Sequence, residues 1–301
     1  MLANRIRMSG AGIGEIEYIL ATDDDFSGTS NGSFRYIGTD EYVEIPHVIK
    51  GVNVTRYNDM FNGTSVRGVA STNKNVTNVT YMFRGTTGTS LNLSNFDTSS
   101  ITDMSNMFTG SKATSLDLGS FDTSNVTNMS AMFYSSKATS LDLSSFDTSN
   151  VTNMGSMLRS TTATSIDLSS FNTSSVTDMS SMFYMTRTTS LDLSSFYSSS
   201  VTDMCSMFNR SNATSLDLGS FDTSNVTKMS NMFYQSQTTS LDLGSFDTSN
   251  VTNMSSMFRN ATTTAGYART QADADKFNST DYKPAVLTFV VKPQDWSELS
   301  G

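Results

Sequence analysis

One cysteine, one histidine, one tryptophan and three prolines in 301 residues leave the chain short of the usual chemical equipment. Cys205, alone, excludes an intramolecular disulfide framework and a thiolate metal cluster. His47, alone, excludes multi-histidine metal sites and argues against a histidine-based triad. Charged residues are 16% of the chain against a globular norm of about 25%, and hydrophobic residues 37% against about 45–50%. The net charge of −9 argues against nucleic acid or an anionic membrane as partner, since both call for concentrated Lys and Arg. No apolar run approaches the ~18–20 residues of a membrane-spanning helix. The opening MLANRIRMSGAGIGEIEYIL has a basic start but no apolar segment of about 7–15 residues and no small-residue cleavage site, so it does not read as a secretory signal.

What fills the chain is Ser, Thr and Asn, in a repeat. From Thr89 to Phe258 the sequence recurs every 25 residues without an insertion, as in TSLDLSSFDTSNVTNMGSMLRSTTA at 139–163. A leucine column runs from Leu91 to Leu241, with Ile166 as its one exchange. A phenylalanine column runs from Phe96 to Phe246, and a Val/Ile column from Ile101 to Val251. Two methionine columns start at Met104 and Met107, and a second phenylalanine column starts at Phe108 and is broken at Leu158. These columns hold 14 of the 19 methionines and 13 of the 19 phenylalanines, which marks the sulfur-rich stripe as core filler rather than a copper site or peptide groove. Degenerate copies, Val76-Val79-Met82-Phe83 and Val54-Tyr57-Met60-Phe61, precede the regular ones and bring the expected number of coils to about nine.

Within a unit, T-S-L-D-L-S alternates apolar and polar residues as a half-buried strand does. V-T-N-M-S-S-M-F places its apolar residues at 0, 3, 6 and 7, a stripe about 120° wide at 100° per residue, which predicts a short amphipathic helix or helical turn. The expected architecture is therefore an α/β repeat solenoid, a parallel strand plus a short helix per coil, capped at both ends and about 45 Å long at strand spacing. Residues 1–33 are expected as a loosely structured arm and 34–61 as a β cap with the first degenerate coil. Residues 62–263 form the solenoid and 264–301 a helix-strand cap. In that cap Tyr267, Ala274 and Phe277 are placed on one helix face and 286–291 in a final strand; all three prolines fall outside the regular coils.

The units, SLDLSSFDTSNVTNMSSMF in composite, resemble the leucine-rich repeats of BspA-like bacterial surface proteins over roughly residues 52–262. EYVEIPHVIKGVNVTRYNDMF resembles the related repeat type of that family, and GYARTQADADKFNSTDYKPAVLTFVVK its terminal cap. The resemblance implies a leucine-rich-repeat fold and a non-enzymatic adhesion or recognition protein, extracellular, on a bacterial cell surface. MLANRIRMSGAG resembles the start of prophage-encoded structural proteins of Gram-positive bacteria, which implies instead a phage tail component released by lysis, homo-oligomeric if a fibre.

Comparing the copies separates framework from freedom. The buried columns barely change, whereas the residues after the Phe108 column vary: TGSKA, YSSKA, RSTTA, YMTRT, NRSNA, YQSQT, RNATT. This strip supplies the candidate ligand-binding residues Arg84, Tyr134, Lys137, Arg159, Tyr184, Arg187, Asn209, Arg210, Tyr234 and Arg259, rich in the Tyr and Arg of binding hot spots. A second candidate is the strand face, where Asp117, Asp142, Asp167, Asp192, Asp217 and Asp242 stand between the two leucines of each coil. Neighbouring carboxylates ~5 Å apart repel by about 1 kcal/mol even in water, so the row needs solvation, hydroxyl partners or cations. It reads as a solubilising face or as one for basic ligands or sugar hydroxyls. The Thr114-to-Thr239 column raises an ice-binding alternative, and the spaced carboxylates a polysaccharide-active enzyme. The periodic carboxylates are interchangeable, though, where catalysis needs two differently tuned groups. No catalytic residue, metal site or cofactor is expected. The expected partner is a cell-surface glycan or protein, with no nucleic acid and no membrane insertion.

Overall fold

A computed structural model of the chain describes residues 5–10, 13–28 and 34–293. Its strands are β1 (Arg5–Gly10), β2 (Ile13–Leu20), β3 (Phe26–Gly28), β4 (Phe34–Tyr36), β5 (Tyr42–Glu44), β6 (Val48–Ile49), β7 (Val52–Asn53) and β8 (Gly68–Ala70). There follow β9 (Ser90–Asn92), β10 (Ser115–Asp117), β11 (Ser140–Asp142), β12 (Ser165–Asp167), β13 (Ser190–Leu191), β14 (Ser215–Leu216), β15 (Ser240–Leu243) and β16 (Ala265–Ala268). The helix α1 (Gln271–Asn278) and β17 (Phe289–Val291) close the order. Together they make a β-solenoid of about 11 coils of roughly 25 residues. The expected count of about nine, with 264–301 read as a cap, missed the coils built on β16 and on β17, which stack in parallel on β15.

Parallel pairing holds each coil to the next in register. Leu116 sits opposite Leu91, Leu141 opposite Ile166, Leu191 opposite Leu216, and Leu241 opposite Gly266. A second line of contact runs along the Asn/Asp column, where single parallel bridges link Asn78, Asp103, Asn128, Asn153, Asp178, Asp203, Lys228 and Asn253. The Leu, Val, Met and Phe columns fill the space between, as their spacing predicts; Phe108, Val126, Met129 and Met132 are fully buried.

The short helix expected in each coil does not form. Among the described residues the only α-helix is α1, and the place of the others is taken by turns. In the coil of Met129, the N–H groups of Met132, Tyr134 and Ser136 donate three residues back, to Met129, Ala131 and Phe133. The alternate N–H groups of Met129, Ala131, Phe133 and Ser135 donate to Asn153, Gly155, Met157 and Arg159 of the next coil. Left-handed residues, Ala131 at φ 52° and Ser135 at φ 55°, separate the successive turns. Apolar residues three apart thus arise from stacked turns as readily as from a helix. Ser, Thr and Asn are weak helix formers, and the next coil offers the alternate N–H groups a partner that a lone helix lacks.

Polar ladders complete the interior. Buried Thr148 donates to the carbonyl of Asn172 at 2.9 Å and accepts from the Asn172 N–H at 2.8 Å. Thr123, Thr173, Ser198 and Thr223 donate in the same way along the stack, to Asp147, Tyr197, Asp222 and Asp247. A buried hydroxyl with both roles filled carries little desolvation cost, which is why a Ser/Thr-rich chain can use it as core.

Both ends are covered. Within 1–33, expected as a loose arm, the antiparallel pair β1–β2 joins the sheet through β2, whose Ile19 and Leu20 face Val43 and Glu44 of β5. Tyr18 is fully buried, edge-on to Tyr42 at 5.8 Å. Gly68 is required beneath them, because a Cβ there would come within 2.5 Å of the Tyr42 ring. At the other end Tyr267 belongs to β16, not to the helix, while Ala274 and Phe277 of α1 are buried against the last coil as expected. Asp273 ties α1 down, accepting from Thr248 N–H at 3.0 Å, Thr270 Oγ1 at 2.6 Å and Arg269 Nε at 3.2 Å. The last strand, β17, lies within the segment predicted for it. Residues 294–301 of the expected cap lie outside the described residues.

Candidate recognition surface

The variable strip follows directly from the turn geometry. The last turn of each coil ends in a left-handed residue whose N–H donates to the next coil: Gly110 to Tyr134, Ser135 to Arg159, Ser160 to Tyr184, Met185 to Asn209, Arg210 to Tyr234, Gln235 to Arg259. These bonds stack the variable column one coil apart, about 4.8 Å at strand spacing.

At that spacing guanidinium and phenol planes interleave. The Arg159 guanidinium carbon is 5.6 Å from the Tyr134 ring centre and 4.1 Å from that of Tyr184. Arg259 lies 6.0 Å from Tyr234 and 4.4 Å from Tyr282, and Arg210 stands 5.7 Å from Tyr234. Each contact within ~6 Å is worth about 0.5–1 kcal/mol at an exposed site. The strip is therefore preorganised: its Tyr and Arg side chains are ordered by one another before any ligand arrives. A depression of about 290 Å³ beside it is lined by Asn106, Ala131, Tyr134, Ser156 and Arg159.

Not every predicted residue joins the ladder. Arg84 pairs with Tyr81 at 5.3 Å, outside the predicted set. Lys137 and Arg187 are exposed in the neighbouring column and stack on nothing. Asn209 is a correction: at 7% exposure, between the Tyr184 and Tyr234 coils, its carboxamide is too covered to be a contact group. Sequence reasoning also missed Lys112, present in TGSKA, and Tyr282, which follows Arg259 by 23 residues and so falls off the 25-residue period.

The strand-face aspartates are all exposed, and the structure gives Asp142, Asp167, Asp192, Asp217 and Asp242 a local task. In β11, Asp142 Oδ1 accepts from Ser144 N–H at 3.1 Å and from Ser144 Oγ at 2.6 Å; Asp167 with Ser169 and Asp192 with Ser194 repeat this. Asp217 and Asp242 take the N–H of Gly219 and Gly244, with no hydroxyl beside it. The hydroxyl and then the amide hold the carboxyls of Asp142, Asp167 and Asp192 below the usual carboxylate range. One oxygen of each thus closes the turn after the strand, and at the end of the row Asp242 Oδ2 meets Lys292 Nζ at 2.6 Å.

The remaining candidates dissolve into structure. Thr114, Thr139 and Thr164 donate their hydroxyls to the Thr carbonyl of the preceding coil, so half of that column is spent on the fold rather than left as a donor row for ice. Cys205 takes the place of a serine, 3.1 Å from Ser230 Oγ, and burial pushes its thiol up. His47 is exposed beside Thr72 at 3.2 Å. Among the described residues, no three His, Cys, Asp or Glu side chains gather where they would hold a metal ion.

Residues 55–171 and 153–270 each match the family described as Mycoplasma protein of unknown function, DUF285. The chain belongs to this family. The two matches overlap and together span the regular coils, the second degenerate one and the turn part of the first, so the DUF285 signature is the repeat itself. The strip and the Asp column lie inside it, whereas β1 to β7, α1 and β17 lie outside. No curated protein matches the chain.

Proposed function

We propose that this DUF285 solenoid is a non-catalytic recognition protein that holds a cell-surface glycan or protein along its variable strip. The supporting observation is the Tyr134–Arg159–Tyr184 and Tyr234–Arg259–Tyr282 stacking: residue types with hot-spot character, ordered in advance, at the positions where otherwise near-identical coils differ. Many weak contacts in a line add by multivalency, and a rigid ladder keeps their spacing fixed. The resemblance to BspA-like leucine-rich repeats supports an extracellular site of action on a bacterial surface. The opening MLANRIRMSGAG supports a second reading, a phage tail component that binds the bacterial host, for which a trimeric mass in solution is the expected mark.

The test is binding of the labelled full chain to a panel of Gram-positive cells and host-matrix proteins. A variant with Tyr134, Arg159, Tyr184 and Tyr234 changed to Ala runs beside it, with circular dichroism to verify folding. A second variant, Lys137→Ala with Arg187→Ala, touches only exposed side chains. Saturable binding lost in the first and weakened in the second supports the strip. Binding unchanged in both overturns it.

A further inference from the structure

Charge in the repeat region is sorted by face. Between residues 75 and 262 there are 8 basic and 14 acidic residues. Seven of the eight basic residues lie in the strip, from Arg84 through Lys112, Lys137, Arg187 and Arg210 to Arg259, and none of the 14 aspartates does. The eighth, Lys228, stands in the Asn/Asp column and is neutralised by Asp203 at 3.1 Å. Among the described residues no strip cation makes an ion pair within 4 Å. Arg159 is held only by two phenol rings, and its buried Nε has no hydrogen-bond partner. A chain of net charge −9 thus carries a narrow strip of cations, roughly one per coil, with Asp281 near Arg259 at one end. The strand-face aspartates Asp117 to Asp242 lie on one side, and Asp103, Asp178 and Asp203 of the Asn/Asp column on the other.

We propose that the ligand of this strip is a single acidic polysaccharide chain, carboxylate- or phosphate-bearing, lying along the solenoid axis. This rests on the strip being the recognition surface and names its ligand class. The charge complementarity selects an anion. The width of the line selects its form, because a duplex nucleic acid or an anionic bilayer would press its charge against the flanking aspartates as well. The spacing also fits: duplex DNA carries one charge per ~1.7 Å, far denser than one cation per coil at about 4.8 Å, whereas a pyranose unit is about as long as a coil is thick. Guanidinium groups pair acidic groups in bidentate fashion, and the phenols of Tyr134, Tyr184 and Tyr234, which make no hydrogen bond among the described residues, are suited to sugar hydroxyls.

The experiment measures binding of the full chain to polygalacturonate and hyaluronan, to neutral dextran, and to single-stranded DNA and anionic phosphatidylserine vesicles. A variant with Lys112→Glu, Lys137→Glu and Arg187→Glu, all exposed positions, is compared by circular dichroism and binding. Expected are saturable, salt-weakened binding to at least one acidic polysaccharide, at least about tenfold loss in the triple variant, and no binding to dextran. Absence of binding to either acidic polysaccharide, binding that the triple variant leaves unchanged, or equal or tighter binding to DNA or vesicles overturns the proposal. If cells or matrix proteins are still bound through Tyr134, Arg159, Tyr184 and Tyr234, this proposal alone has failed. If they are not, the strip reading fails with it.

Discussion

Leu158 interrupts a stack of rings, and restoring the ring tests the packing argument quantitatively. Phe61, Phe83, Phe108 and Phe133 stack at 5.5–5.8 Å and 6–16° between planes. Phe183, Phe208, Phe233 and Phe258 do the same at 5.5–5.8 Å and 3–9°. Leu158 lies between the two runs and is fully buried. Leu158→Phe adds two ring pairs, each worth about 0.5–1.5 kcal/mol beyond its area. Against this stands the cost of inserting volume into a packed core, typically 1–3 kcal/mol. The backbone at 158 follows the bonding pattern of every Phe-bearing coil, so the strain belongs at the low end of that range, and a net gain of roughly 1 kcal/mol is expected. The reverse change in an unbroken run, Phe208→Leu, removes two pairs and costs about 1–3 kcal/mol. Because solenoids unfold coil by coil as readily as all at once, amide hydrogen exchange of the 151–185 segment is the readout, with chemical denaturation as a check. Slower exchange in Leu158→Phe and faster exchange in Phe208→Leu are expected. A destabilised Leu158→Phe with an unharmed Phe208→Leu would refute the idea that stacked rings, rather than mere apolar volume, hold the coils.

Three further outcomes follow from the same geometry. Ala131→Gly and Met185→Gly relieve left-handed residues at φ 52° and 54° and are expected to stabilise by roughly 1 kcal/mol each, measured by denaturation; Ser130→Gly, just beside one of them, is expected to destabilise. Thr148→Val leaves both the N–H and C=O of Asn172 without their partner and should cost about 1–3 kcal/mol, while Thr148→Ser, the residue found at 198, should be nearly neutral. For Asp273, burial pushes the carboxyl up, but hydrogen bonds from Thr270, Thr248 and Arg269 outweigh it and hold the value at about 2. A folded value below the unfolded one means that its contribution is whole above pH ~4 and is lost as pH falls toward 2. Hydrogen exchange of α1 is therefore expected to quicken across that window, and Asp273→Asn to flatten the dependence.

The period was legible because every coil solves one packing problem with the same residues. Leu, Phe, Val and Met at fixed spacing specify which side chains meet, and those columns are buried, with Leu116, Ile166, Val251 and Met254 partly so. The conformation of the turn face was not legible, because side-chain spacing reports direction and not the partner of each N–H. Met129 donates to the next coil and Met132 to its own, and no residue between them announces it. Glycine would signal the left-handed sites, but it stands only at Gly63, Gly85 and Gly110 in that column and gives way to Ser, Met, Arg, Gln and Asn beyond. The β1–β2 pair was hidden for a different reason. Its anchor is one contact set, Tyr18 with Tyr42 over Gly68, and it carries no repeat.

The strip shows what a repeat conceals and what it exposes. A column invariant across the coils carries the fold, so variation is the one signal of function that a single chain holds. That signal identifies Tyr134, Arg159, Tyr184 and Tyr234 but cannot distinguish ligand contacts from mutual contacts, and in the structure these four stack on neighbours in their own column. The stacking does not compete with recognition. Arg159 keeps its full charge between two rings, with no carboxylate to neutralise it, so the pairs position the cations and leave their electrostatic field unspent. A strip built for internal stability alone would gain about as much from Asp or Glu beside those arginines, and aspartate is plentiful one face away at Asp142, Asp167 and Asp192. Its exclusion from all eight variable segments leaves the ladder with an uncompensated positive charge, the feature on which the proposed acidic ligand rests.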